Sequence, residues 1–198
     1  MSRLRLTATM LAVPLLVLSA APGFAQTSTG TGAAGATALR THPVGLVTFT
    51  SEFRDRIPAN SNQCLDANVS GGGHNGSRVV IWQCSNSPQQ LWRWRPDGHL
   101  ENQHFRGKCL DADARWGGRD GTPLLLWQCN DNSPNQQFFN RPGTGDLALY
   151  NEAFHNGLSI VVDRDANVRG NGALVQLWRK NGQSQQWWTV WPKGPFGS

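Results

Sequence analysis

Trp82-Gln83-Cys84 followed by Gln90-Leu91-Trp92 decides how this chain folds, because the stretch recurs. It is preceded by Cys64-Leu65-Asp66. A second copy reads Cys109-Leu110-Asp111, then Trp127-Gln128-Cys129, then Asn135-Gln136-Gln137-Phe138. A third, weaker copy reads Val161-Val162-Asp163, then Leu177-Trp178, then Ser184-Gln185-Gln186-Trp187-Trp188. Asp and Trp lie 16, 16 and 15 residues apart in the three copies, and successive Asp lie 45 and 52 apart. Self-similarity at a fixed period of this length means a fold assembled from repeats.

Around these anchors the pattern is short strands divided by turn residues. Leu46–Ser51, Gln63–Ala67, Arg78–Cys84 and Gln90–Trp94 form the first set, with Ser70-Gly71-Gly72-Gly73 and Ser85–Pro88 as turns. The second set is His99–Asn102, Lys108–Ala112, Thr122–Cys129 and Gln137–Asn140. The third is Asp146–Tyr150, Ser159–Asp163, Ala173–Arg179 and Gln186–Trp191. No window sustains a helical period. A propeller needs four blades or more and a Trp-Asp signature that is absent. Three four-stranded units that close on themselves predict an all-β chain, a β-trefoil with pseudo-threefold symmetry. Val79, Ile81, Leu124, Leu126, Val175 and Leu177 should be buried, and Trp92, Phe138 and Trp187 should fill the centre. Because strand residues alternate sides, Trp82, Trp127 and Trp178 should then face out.

The start of the chain reads differently. Arg3 and Arg5, the apolar run Met10–Leu18 and Gly23-Phe24-Ala25 make residues 1–25 an expected secretory signal peptide. The run is shorter than the roughly 20 residues of a membrane span. Residues 26–43, rich in Thr, Gly, Ala and Ser, are expected to be a flexible leader. The repeats occupy 44–192, and 193–198 form a loose tail. The protein is thus expected to be secreted and extracellular. Losing Arg3 and Arg5 lowers the formal charge from +5 to +3. That small, scattered excess argues against nucleic acid as a partner.

Cys64 and Cys84 share their spacing with Cys109 and Cys129. Repeat symmetry selects one disulfide inside each copy, which an exported protein permits. Each closes a loop of about 20 residues, worth roughly 3 kcal/mol in the chain-entropy model. Zinc is disfavoured, since there is no Cys-x-x-Cys pair. The run Asp163-Arg-Asp165-Ala-Asn167 starts like a calcium loop, but Val168 and Leu174 stand where Gly and Glu are needed. No metal or cofactor is expected.

Cys-Leu-Asp, an apolar-Trp-x-Cys strand and Gln-x-Trp, repeated three times, resemble the ricin B-type lectin domain, a family that includes carbohydrate-binding modules attached to xylanases. The resemblance covers about Val44 to Trp191. It implies a non-enzymatic glycan or polysaccharide binder of galactose or xylan type, with up to three shallow sites. Carried over, the sites would hold Asp66, Trp82, Gln89 and Gln90; Asp111, Trp127, Asn135 and Gln136; and Asp163, Gln176, Trp178 and Gln185. The chemistry fits, since carboxylate and carboxamide match sugar hydroxyls and a flat ring matches the apolar sugar face. Asn135 makes the second copy the closest match; Gln89 and Ser184 stand at that position elsewhere.

Each group also has a structural reading: the Gln as hairpin braces, the Trp as core, the Asp as turn formers. A glycosidase needs two carboxylates about 5 to 9.5 Å apart, and Asp66, Asp111 and Asp163 belong to different lobes. The third copy lacks both Cys, with Val161 and Lys180 in their places, and is three residues longer between Asn151 and Asp163 than the second between Asn102 and Asp111. Its loop should be less pinned. That loop, Tyr150–Leu158, carries the alternative reading of a protein-contact trefoil, such as a protease inhibitor or a subunit of an exported complex, with Tyr150, Phe154 and His155 at its surface. A separate enzyme or toxin partner fits either reading.

Overall fold

A computed structural model describes residues 45–51, 62–141 and 146–193. The expected signal peptide, the whole leader and residues 194–198 of the tail lie outside the described residues, while Lys193 belongs to the last strand. Thirteen strands are present among the described residues. The first lobe holds β1 (Gly45–Ser51), β2 (Gln63–Asp66), β3 (Ser77–Arg78), β4 (Val80–Gln83) and β5 (Trp92–Trp94). The second holds β6 (Leu100–Asn102), β7 (Lys108–Ala112), β8 (Thr122–Gln128) and β9 (Phe138–Arg141). The third holds β10 (Asp146–Asn151), β11 (Ile160–Arg164), β12 (Val175–Arg179) and β13 (Trp188–Lys193).

Each lobe contributes one antiparallel hairpin: β2–β4, β7–β8 and β11–β12. The chain closes on itself where β1 pairs with β13, β5 and β2. The three hairpins meet through β3 with β8, β12 with β8, and the bridge Val80–Leu174. This is the β-trefoil that three four-stranded copies predict. The expected strand Arg78–Cys84 is divided at Val79, whose N–H leaves the hairpin to donate to Leu124 O at 3.2 Å.

The six apolar residues assigned to the core are all buried, with Val79, Ile81, Leu124, Leu126, Val175 and Leu177 fully so. Burying such side chains gives roughly 1.5–3 kcal/mol each. The centre is filled by Trp92, Phe138 and Trp188, not Trp187, which is 41% exposed. Trp188 is held as Trp92 is, by an indole N–H donated to a hairpin carbonyl: Trp92 to Leu65 O at 3.1 Å and Trp188 to Val162 O at 3.0 Å. The third copy is therefore read one residue too early by the sequence pattern. In addition, Gln90 and Gln186 do not begin strands. Like Gln136, each ends a short 3-10 turn (Pro88–Gln90, Pro134–Gln136 and Ser184–Gln186 in the three lobes) ahead of β5, β9 and β13. Pro at the first position of two of these turns presets the backbone angle.

Both expected disulfides form, Cys64–Cys84 and Cys109–Cys129, with Cα atoms 5.1 and 5.0 Å apart. The third lobe is pinned differently. Val161 joins Phe139, Ala148 and Tyr150 in a small buried cluster, and Tyr150 stacks on Phe139. Lys180 donates to Tyr150 Oη at 2.8 Å. Tyr150 is thus buried rather than presented at the surface, and Phe154 packs against the main core. The loop offered for protein docking has lost two of its three side chains to packing.

Candidate functional site

The carboxylates and the ring of each copy come together at the edge of its hairpin. Antiparallel register sets Cys109 opposite Trp127 and Asp111 opposite Leu125, so the ring and the carboxylate stand two residues apart along the hairpin. The first lobe repeats this with Cys64–Trp82 and Asp66–Val80, the third with Val161–Trp178 and Asp163–Gln176. Trp82, Trp127 and Trp178 are 47%, 39% and 37% exposed, whereas Asp66, Asp111 and Asp163 are buried. The core reading of these three Trp is excluded by that exposure.

The glutamine is a brace. Gln136 Nε2 donates to Asp111 Oδ2 at 2.8 Å and to Gln128 O at 3.0 Å, while its Oε1 accepts from Asn130 N at 2.8 Å. Gln90 does the same between Asp66, Gln83 and Ser85. In the third lobe Gln186, not Gln185, makes these bonds to Asp163, Arg179 and Asn181. All three are buried with both amide hydrogens donated, so they orient the Asp. Gln185 stands at the Asn135 position instead.

The second lobe is the most complete. Asn135 Nδ2 donates to Asp111 Oδ2 at 2.9 Å. This bond and the one from Gln136 both go to Asp111 Oδ2, and among the described residues no donor reaches Asp111 Oδ1. In the first lobe the corresponding Asp66 Oδ1 is taken by Asn68 N at 2.8 Å, and Gln89 does not bond the carboxylate. In the third, Gln176 reaches Asp163 Oδ1 at 3.3 Å. A groove of about 420 Å³ is lined by Asp111, Trp127, Asn135 and Gln136 together with Asp113 and Arg115. Arg115 grips Asp113 with two side-chain bonds of 2.8 Å, and holds its carboxyl below the usual range.

Burial raises the carboxyls of Asp66, Asp111 and Asp163 against the opposing pull of their Gln hydrogen bonds. Asp163 is pushed up to about 6. Removing a carboxylate from water favours its neutral form, and the amide donors recover only part of that loss.

A threefold set of residues went unread in the sequence. Asn75-Gly76, Asp120-Gly121 and Asn171-Gly172 each lie seven residues before Trp82, Trp127 and Trp178. Each turn brackets the Trp of a neighbouring lobe. Gly76 N donates to Leu126 O at 2.9 Å, and Asn75 Oδ1 accepts from Gln128 N at 2.8 Å. Trp127 is thereby fixed on both sides. Asp120-Gly121 does this for Trp178 through Arg179 N and Leu177 O, and Asn171-Gly172 for Trp82 through Gln83 N and Ile81 O. The constant seven-residue offset was the available signal.

This geometry defines a class: a β-trefoil whose lobes each set an exposed indole beside a braced carboxylate. Residues 45–138 match the family described as the ricin-type beta-trefoil lectin domain. The matched segment spans the first two lobes and stops at Phe138. Among solved structures, the designed threefold-symmetric protein ThreeFoil is 24% identical with a TM-score of 0.58, over 74% of this chain and 97% of that one. The C-half of an earthworm R-type lectin, solved with GalNAc, is 17% identical with a TM-score of 0.55, over 74% and 97%. The β-trefoil lectin of Vibrio vulnificus hemolysin/cytolysin, solved with N-acetyl-D-lactosamine, is 20% identical with a TM-score of 0.54, over 75% and 95%. These likenesses are in the fold. Comparison with curated protein sequences gives no match.

Proposed function

We propose that this protein is an exported lectin that holds glycan chains by binding alone, with the second lobe as its principal site. The observation that carries the reading is Asp111, with one oxygen braced by Asn135 and Gln136 and the other open, in a groove walled by the exposed ring of Trp127. A sugar hydroxyl would donate to Asp111 Oδ1, and the apolar sugar face would lie on Trp127. Asp113, the second carboxylate of this lobe, is paired with Arg115 through both oxygens, which supports binding without catalysis. GalNAc and N-acetyllactosamine both present a galactose-type ring, and the two lectins solved with them share this fold. That supports a galactose-type ligand over a xylan-type one.

A shallow site of this kind binds at around 1 mM, near 4 kcal/mol. Several such sites on one body raise avidity toward branched glycans. A glycan array probed with the protein tests the reading. Galactose-terminated glycans should give signal, and Trp127→Ala should weaken it at least about tenfold while the fold is retained, a change of about 1.4 kcal/mol. Unchanged binding by that variant would sink the site assignment.

A further inference from the structure

The three extra residues of the third copy build something that the lectin reading leaves unused. A cavity of about 680 Å³ opens between the second lobe's turn and the third lobe's long loop, larger than the groove at Asp111. Its walls include Gly118, Arg119 and Asp120 from the second lobe and Phe154, Asn156 and Arg179 from the third. Gly118 has φ +70, and a Cβ there would sit 2.5 Å from the Phe154 ring, so the two lobes touch at this point. The first and second lobes meet in the same way at Gly73 and Phe105. There the second copy has no added residues, and His74 and Gln128 stand where Arg119 and Arg179 stand here.

Charge distinguishes this cavity. Asp120 Oδ2 accepts from Arg179 Nε at 2.9 Å, which leaves the outer nitrogens of Arg179 without a partner among the described residues. Arg119 has no acidic partner among them. Its guanidinium lies 4.8 Å above the ring centre of Trp116, itself 39% exposed, and its carbonyl accepts both the N–H and the hydroxyl of Thr122. Arg119, Arg179 and Asp120 all line this cavity of ligand size, and together they carry one net positive charge. Arginine presents paired donors that match a carboxylate or sulfate in two-point fashion.

We infer that this interlobe cavity is a second saccharide site, for an acidic sugar whose anionic group is held by Arg119 and Arg179. The inference takes its ligand class from the reading of the protein as a lectin, but it stands on residues outside the three lobe sites. The test is calorimetric titration of the full protein with an oligogalacturonate, its methyl ester and a sulfated oligosaccharide. Arg119→Ala, Arg119→Lys and Trp127→Ala are compared with the wild type.

Arg119→Ala should weaken the acidic ligand about tenfold, Arg119→Lys less, and Trp127→Ala not at all. The methyl ester should bind poorly, and added salt should weaken the acid form. Tighter binding of the sulfated ligand, lost in Arg119→Ala, would assign the anionic group to sulfate and also support the site. Equal binding of acid and ester would overturn the inference. So would an Arg119→Ala variant that binds as the wild type does, or loss in Trp127→Ala alone, which moves the acid to the Asp111 groove. The lectin reading fails separately, if Trp127→Ala leaves neutral glycan binding intact.

Discussion

The second and third lobes reach the same shape by different chemistry. In the second, Cys109–Cys129 ties the hairpin. In the third, Val161 and Lys180 replace those cysteines, and Phe139, Tyr150 and Val161 fill the space with apolar surface. Both keep the same backbone bond: Cys129 N donates to Gly107 O at 2.9 Å, and Lys180 N to Ser159 O at 2.7 Å. A covalent staple and a packed aromatic pair are therefore interchangeable as hairpin ties. They are not equivalent at the site, where Asp111 keeps an open oxygen and Asp163 shares both with amides.

The comparison breaks most visibly on removing the ties. Tyr150→Ala should destabilise the protein by about 3–5 kcal/mol, the range for deleting a large buried ring. Cys109→Ala with Cys129→Ala should cost about 3 kcal/mol, as expected for a loop of about 20 residues. Urea unfolding followed by Trp fluorescence reads both. A loss under about 1 kcal/mol for Tyr150→Ala would show that the third lobe is not tied by this cluster.

The carboxylates give a pH test of the same contrast. Asp163 titrates at about 6 in the folded protein against the ordinary 3.8. The folded state therefore holds the proton more tightly. The stability this adds is complete below about pH 4 and is lost as pH rises through about 6. At 1.36 kcal/mol per unit, the swing is at most about 3 kcal/mol. Asp66 and Asp111 are raised for the same reason, burial, and act in the same direction. Asp163→Asn should flatten the fall in unfolding midpoint between pH 4 and 7, and an unaltered slope would refute this assignment.

A smaller effect separates lobes through their clamps. Asn75→Ala should cost about 1 kcal/mol, through the lost bonds from Gln128 N and Lys108 Nζ. It should weaken sugar binding at Trp127 while sparing Trp82, which is bracketed by Asn171. Equal losses at both rings would mean that the clamp does not act lobe by lobe.

Much of this was legible from the repeats. The period gave three lobes, alternation gave the buried Ile81, Leu126 and Leu177 and the outward Trp beside them, and equal spacing gave the disulfides. The third copy is ambiguous in sequence because Ser184–Trp188 holds two Gln and two Trp in a row. Only their bonds show that Gln186 and Trp188 take the inner places. The role of Gln90 and Gln136 as braces is likewise a matter of which donors and acceptors are consumed, which residue type alone does not reveal. Tyr150 looked like a loop tip, and its burial depends on Phe139 from another lobe. The clamps were hidden for the same reason, since each acts on a hairpin 53, 59 or 88 residues away.

The most direct test is an NMR titration of the indole N–H signals with a galactose-terminated glycan. The Trp127 signal should move first and furthest, while those of Trp92, Trp94 and Trp188, whose indole N–H groups are bonded to Leu65, Phe138 and Val162 carbonyls inside the fold, stay still. A titration that shifts none of the exposed indoles, or that shifts the Trp178 signal while Trp127 is silent, would contradict the account.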